Sequence, residues 1–103
     1  MKQFEGKIAA ITGGSRGIGR TVAEMLAEQG AAIALCATDS ARAEQAAAEI
    51  AAKYGVKTLG LKADVASLPD CEAFAEKTIA ALGTPDILVN NAGITRDTLT
   101  MRM

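Results

Sequence analysis

The stretch ITGGSRGIGR, from Ile11 to Arg20, has two incompatible readings. Gly14 to Thr21 comes within one residue of the phosphate-cradling loop G-x-x-x-x-G-K-[ST], with Arg20 standing in place of its lysine. Gly13, Gly17 and Gly19 instead space three glycines as a dinucleotide-binding turn does, although the usual spacing is G-x-G-x-x-G. The first reading asks for a nucleoside triphosphate and magnesium, the second for a nicotinamide cofactor. The loop alone does not choose between them.

Its flanks give the context. Lys7 to Thr12 is a short apolar run that predicts a buried strand. Ile18, Val22, Met25 and Leu26 then recur at helical spacing, and Gly30 is a natural stop. Ala31 to Ala37 predicts a second strand. Ala43, Ala46, Ala47, Ile50 and Tyr54 form one stripe of a second helix that ends at Gly55, and Val56 to Ala63 predicts a third strand. Ser67, with Pro69 in the first turn, opens a third helix whose buried face is expected at Cys71, Phe74, Ala75, Ile79 and Leu82. Asp86 to Asn90 predicts a fourth strand. Continuously apolar strands are covered on both faces, and alternation with helices makes the sheet parallel. The expectation is a single α/β domain over 1–103: a Rossmann-like, doubly wound sheet of four strands in the order 3-2-1-4, with three helices.

Composition narrows the partners. The chain of 103 residues is 50% hydrophobic and 3% aromatic, with net charge −1. Such a chain buries about two-thirds of its unfolded surface, in a core of Ala, Ile, Leu and Val. It offers no basic field, which argues against nucleic acid and anionic membrane. The apolar runs are too short to span a bilayer, and Met1 to Gly6 does not read as a signal peptide. Cys36 and Cys71 could pair, but read as reduced structural thiols of a cytoplasmic protein.

A strand followed by a glycine turn and a helix N-terminus is an anion site, because free N–H groups and the helix dipole converge there. A triphosphate loop needs its lysine and usually an acid at another strand end, whereas the fourth strand ends in Asn90 and Asn91. A turn that merely packs helix on strand has no use for three glycines so spaced around an arginine. Ligands of open parallel sheets bind outside the carboxyl ends of the strands. There this sequence places Asp64 and Val65 after strand three, and Asn91, Ala92 and Gly93 after strand four.

Thr12 to Gly19, Asp64-Val65 and Asn90 to Gly93 resemble the TGxxxGxG, D-V and NNAG signatures of the short-chain dehydrogenase/reductase family. Gly93 to Met103 is similar to the segment that follows NNAG in its 3-oxoacyl-acyl-carrier-protein reductases. The resemblance covers the chain end to end, but only the N-terminal part of a family member. It implies that Gly13, Gly17 and Gly19 let the backbone approach the pyrophosphate, with Ser15, Arg16 and Ile18 in the same turn. It further implies Asp64 on the adenine amino group, Val65 against the ring, and Asn91, Ala92 and Gly93 under the nicotinamide-side ribose. Asn90 would brace the sheet. At the end of strand two, an NAD enzyme carries an acid for the 2′-hydroxyl. Ala37 and Thr38 leave room there for a 2′-phosphate facing Thr38 and Arg16, so NADP(H) is expected; Asp39, close behind, argues the other way.

Family chemistry also needs a serine, and a tyrosine acid with a lysine four residues on. The sole tyrosine, Tyr54, has Lys57 three residues on and reads as a core residue, so the catalytic segment is expected beyond Met103. Two functions stay open. One is the nucleotide-binding half of an NADPH-dependent 3-oxoacyl-acyl-carrier-protein reductase, inactive alone and meeting the acyl-carrier-protein thioester only as part of a full-length enzyme. The other is a structural or minimal Rossmann fragment with little cofactor binding. Either way strand four is expected as a bare apolar edge and the second face of the sheet as covered by one helix only, and a homo-oligomer is expected: a two-fold dimer that buries the bare face, with strand-four pairing or segment exchange as the alternatives.

Overall fold

Aliphatic runs without alternation make strands that are covered on both sides, and Ile8–Thr12 (β1) and Ala32–Ala37 (β2) are such strands. The computed structural model describes residues 3–13, 17–64, 67–90 and 98–101. Thr58–Lys62 (β3) and Ile87–Asn90 (β4) complete a parallel sheet, joined in sequence by Gly17–Glu28 (α1), Ser40–Tyr54 (α2) and Leu68–Ala81 (α3). The order is β3-β2-β1-β4, as expected, and a fifth strand, Thr98–Met101 (β5), follows β4.

β5 corrects one expectation. It runs antiparallel along β4, with register from Ile87 opposite Met101 to Asn90 opposite Thr98. β4 is therefore an inner strand, not a bare edge. The sequence TLTM alternates a β-branched polar residue with an apolar one, which suits a strand. The unpaired N–H and C=O groups along β4 supply the drive for pairing.

Helix ends follow local chemistry. Asp39 caps α2, its carboxylate accepting from the N–H groups of Ala41 and Arg42, and Gly55 closes that helix in the left-handed region at φ 70°. Ser67 caps α3 through the N–H of Asp70, with a proline in the first turn.

Successive residues of each strand face opposite layers. On one layer Ala9, Ile11, Ile33, Leu35, Ile87 and Val89 pack against alanines of α1 and α2 and against Ile50. On the other, Ala10, Ala34, Cys36 and Ala63 meet Phe74 of α3, with Leu59, Leu61 and Leu82 around them. This second layer is the thinner one. Leu88, whose β4 neighbours Ile87 and Val89 are buried on the first layer, stays 45% exposed.

The buried faces of two helices differ from those expected. In α1 the buried positions are Gly19, Ala23 and Ala27; Val22 and Leu26 are half-buried, and Ile18 and Met25 are each 63% exposed. A seam of small residues brings the helix close to the sheet and leaves larger side chains at its flanks. In α3 the buried residues are Phe74 and Thr78, while Ala75 and Ile79 face outward. The Thr78 hydroxyl donates to the carbonyl of Phe74 at 2.7 Å, so a residue that hydropathy scores as polar can be buried without an orphaned group.

Candidate functional site

Four parallel strands in register end together, because Thr12 lies opposite both Cys36 and Asn90, and Ala37 opposite Lys62. The site is the ledge above these ends. Gly13 leaves β1 at φ 69°, its N–H donating to the carbonyl of Cys36 at 2.9 Å, and Gly17 opens α1 at φ 66°. Both conformations are strained for a residue with a Cβ. A Cβ placed on Gly17 would meet nothing within 4 Å, so this glycine fronts open space and not packed side chains. The first turn of α1 carries no acidic residue, which leaves the positive end of its dipole unopposed there. Ile18 is exposed at that head and Gly19 is buried against the sheet.

At the end of β2, Thr38 is exposed. The next residue, Asp39, turns its carboxylate onto the head of α2, with Oδ1 2.9 Å from the N–H donor of Ala41 and 3.4 Å from that of Arg42. At the end of β3, the N–H of Ala63 donates to Ala37 at 2.9 Å. The exposed Asp64 donates its own N–H to Oδ2 of Asp70 at 2.8 Å and accepts from the N–H of Ser67 at 2.8 Å. Among the residues singled out from sequence, the structure thus sets Gly13, Gly17, Ile18, Gly19, Thr38 and Asp64 along one edge. Ser15, Arg16, Val65, Asn91, Ala92 and Gly93 lie outside the described residues. Asp70 was not foreseen. It stands three residues after the Ser67 cap, but nothing in the sequence showed its carboxylate reaching back to fix the Asp64 corner.

Arg20 decides against the triphosphate loop. Its Nε donates to Glu24 at 2.8 Å and its Nη2 to Glu49 at 3.0 Å, bridging α1 and α2. Thr21 donates to the carbonyl of Gly17 at 3.2 Å. The two residues that would hold the phosphates and the metal are therefore engaged elsewhere. Among the described residues no group of His, Cys, Asp or Glu could hold a metal ion.

Tyr54 joins the same inter-helix network. Its hydroxyl donates to Oε1 of Glu24 at 3.0 Å, and Lys53 reaches that oxygen at 3.2 Å. These partners hold the Glu24 carboxyl below its usual range, the Tyr54 hydroxyl contributing most. Tyr54 packs against the first core layer, as expected of a structural residue. Beneath the ledge, burial pushes the Cys36 thiol up.

Residues 7–103 match the family model described as short chain dehydrogenase. The chain belongs to that family. Among the similar short chain dehydrogenases is the 3-oxoacyl-[acyl-carrier-protein] reductase FabG of Escherichia coli (strain K12), 50% identical over 100 residues, which make up 97% of this chain and 39% of the relative. The FabG of Aquifex aeolicus (strain VF5) is 44% identical over 101 residues, or 98% of this chain and 41% of the relative. In structure the chain is similar to L-sorbose reductase from Gluconobacter frateurii, solved complexed with NADPH and L-sorbose. The TM-score is 0.86 at 40% identity, over 95% of this chain and 38% of that one. The chain thus spans about two-fifths of the length of these short chain dehydrogenases. Among the described residues no helix is long and apolar enough to cross a membrane.

Proposed function

We propose that this chain is the dinucleotide-binding half of a cytoplasmic, NADPH-dependent 3-oxoacyl-acyl-carrier-protein reductase. The observation that carries this reading is the glycine turn at the end of β1, where Gly13 and Gly17 hold positive φ and Gly17 fronts open space a side chain would fill. The residues fit a dinucleotide. Gly13, Gly17 and the head of α1 would take the pyrophosphate through backbone N–H groups. Asp64, fixed by Asp70, would accept from the adenine, with Val65 against the ring, and Asn91, Ala92 and Gly93 would line the ribose on the nicotinamide side. When bound, the cofactor supplies the hydride.

The choice of NADP(H) rests on Thr38 and Arg16 and is supported by Asp39. A carboxylate turned toward a 2′-phosphate would repel it, but that of Asp39 is spent on the head of α2. Ser15 and Ile18 would complete the site at the ribose and phosphates. As for catalysis, the hydroxyl of Tyr54 is committed to Glu24 between α1 and α2, on the layer below the ledge. The 103-residue chain alone should not reduce 3-oxoacyl thioesters.

Calorimetric titration of this chain with NADPH and with NADH tests the reading. NADPH should bind more tightly, and Arg16→Ala should remove much of the preference. Loss of one charge-assisted contact costs about 1.5–3 kcal/mol, on the order of tenfold or more in affinity. Equal affinities would refute the NADP(H) assignment, and no binding of either would favour a structural Rossmann unit instead. The thin second layer, with Leu88 exposed, supports a two-fold dimer, which light scattering would show as twice the mass of one chain.

A further inference from the structure

We propose that Asp70 is a positioning residue for base recognition: its carboxylate holds the Asp64 corner so that this chain distinguishes adenine from a purine without the 6-amino group. The inference rests on the dinucleotide reading above and extends it to a residue that need not touch the ligand. The chain leaves the sheet at this corner. Ala63 is still buried and still donates its N–H to the carbonyl of Ala37 at 2.9 Å, whereas Asp64 is exposed. Ala37 is the last residue of β2, so the backbone of Asp64 needs partners from outside the sheet.

The head of α3 supplies both. The Asp64 N–H donates to Oδ2 of Asp70 at 2.8 Å, and the Asp64 carbonyl accepts from the N–H of Ser67 at 2.8 Å. Ser67 is the N-cap of α3, and Asp70 is the third residue of that helix, its own N–H donating to the Ser67 hydroxyl. An acid at this position ordinarily reaches back to the N-cap N–H and closes a capping box. Here that N–H is given to Asp64, and the carboxylate goes three residues further up the chain. Two bonds thus hold the two peptide groups that flank the Asp64 Cα, and together they set the direction of its Cα–Cβ bond. A carboxylate so aimed meets a base amino group without the entropy cost of first ordering its backbone.

The chemistry at stake is one hydrogen bond. Adenine presents an N–H donor at position 6, where hypoxanthine presents a carbonyl oxygen. A carboxylate facing the first gains a charge-assisted bond, and facing the second it meets another acceptor. Releasing the corner removes the distinction without removing the carboxylate, because Asp64 then samples other directions. Asp70 is also the acid in the first turn of α3, where its charge favours the helix dipole. Helix stability and base recognition therefore both depend on it, and the two are measured separately.

The test titrates the 103-residue chain by calorimetry with NADPH and with reduced nicotinamide hypoxanthine dinucleotide phosphate. The parent chain should bind NADPH on the order of tenfold more tightly, the effect of one charge-assisted hydrogen bond. Asp70→Ala should bring that ratio close to one, chiefly by weakening NADPH. Asp70→Asn keeps an acceptor oxygen in place and should restore most of it. Asp70→Gln suits the helix position but carries its acceptor one methylene too far. It should lower the ratio as well, which keeps the test decisive even if Asp70→Ala does not fold. Hydrogen exchange at the Asp64 amide, followed by NMR, should be faster in Asp70→Ala than in the parent chain. A purely structural Asp70 would lower the urea midpoint and weaken both dinucleotides alike, and an intact ratio of that kind would overturn the proposal. So would a low ratio in Asp70→Asn or an unchanged Asp64 amide. Equal binding of the two dinucleotides by the parent chain, or no binding of either, would overturn the reading of Asp64 as the base contact, and this proposal with it.

Discussion

Gly60 sits in the middle of β3, and its missing side chain is where α2 approaches the sheet. A Cβ there would run into the carbonyl of Ala43 and stand 3.0 Å from the Cβ of Ala47. Neither neighbour can step aside cheaply. The Ala43 carbonyl is helix backbone, and both alanines belong to the buried face of α2. Gly60→Ala must therefore push the whole helix outward. Replacing glycine restricts the unfolded chain, a gain of about 0.4–1 kcal/mol. Overpacking costs about 1–3 kcal/mol and more when backbone is in the way. The net expectation is a loss of about 2 kcal/mol, and with a urea slope of about 1–3 kcal/mol per molar the midpoint falls by roughly 1 M. Far-UV circular dichroism during urea titration measures it. Gly55→Ala is the companion, because there a Cβ meets nothing within 4 Å but φ is +70°. Its cost is backbone strain alone, about 1–2 kcal/mol. Adding Ala47→Gly to Gly60→Ala relieves one of the two contacts and should recover part of the loss, whereas it should not help Gly55→Ala. An unchanged midpoint for Gly60→Ala would show that helix and strand are not as close as described.

Two further substitutions separate stability from binding. Asp39→Ala removes the cap of α2 and should cost about 0.5–2 kcal/mol in urea unfolding, yet leave the proposed NADPH preference intact, since the carboxylate faces the helix; a shift in cofactor preference would contradict that orientation. Glu24→Gln weakens the bonds from Tyr54, Lys53 and Arg20. The folded-state carboxyl titrates below its unfolded value, so its contribution is fully present above the unfolded pKa and is lost as pH falls through the folded one. The midpoint difference between the two chains, no more than about 1 kcal/mol for so open a network, should be full at pH 7 and close in the acid range. A gap that persisted there would mean that packing, not charge, accounts for Glu24.

Element types and their order were legible in the sequence, because they depend on period and punctuation. Unbroken aliphatic runs make two-sided strands, and Ser67 and Gly55 mark helix ends by local hydrogen bonding and by φ, so both needed no neighbours to be read. The strand ends were legible for the same reason: Gly13, Asp64 and Asn90 stand where strands stop, and a parallel sheet brings such stops to one edge. Which side chains are buried was decided by contact. α1 uses Gly19, Ala23 and Ala27 against the sheet, not its larger apolar residues, since closeness of approach outweighs the hydrophobicity of any one side chain. Thr78 can be buried because the backbone carbonyl of Phe74 accepts a hydrogen bond from its hydroxyl. Only the tertiary structure turned Arg20 toward Glu24 and Glu49, turned Asp39 onto α2, and laid β5 along β4. Each of these depends on a partner brought close by folding or on an unpaired strand edge, and the free energy of a charge, a cap or an edge depends on what faces it.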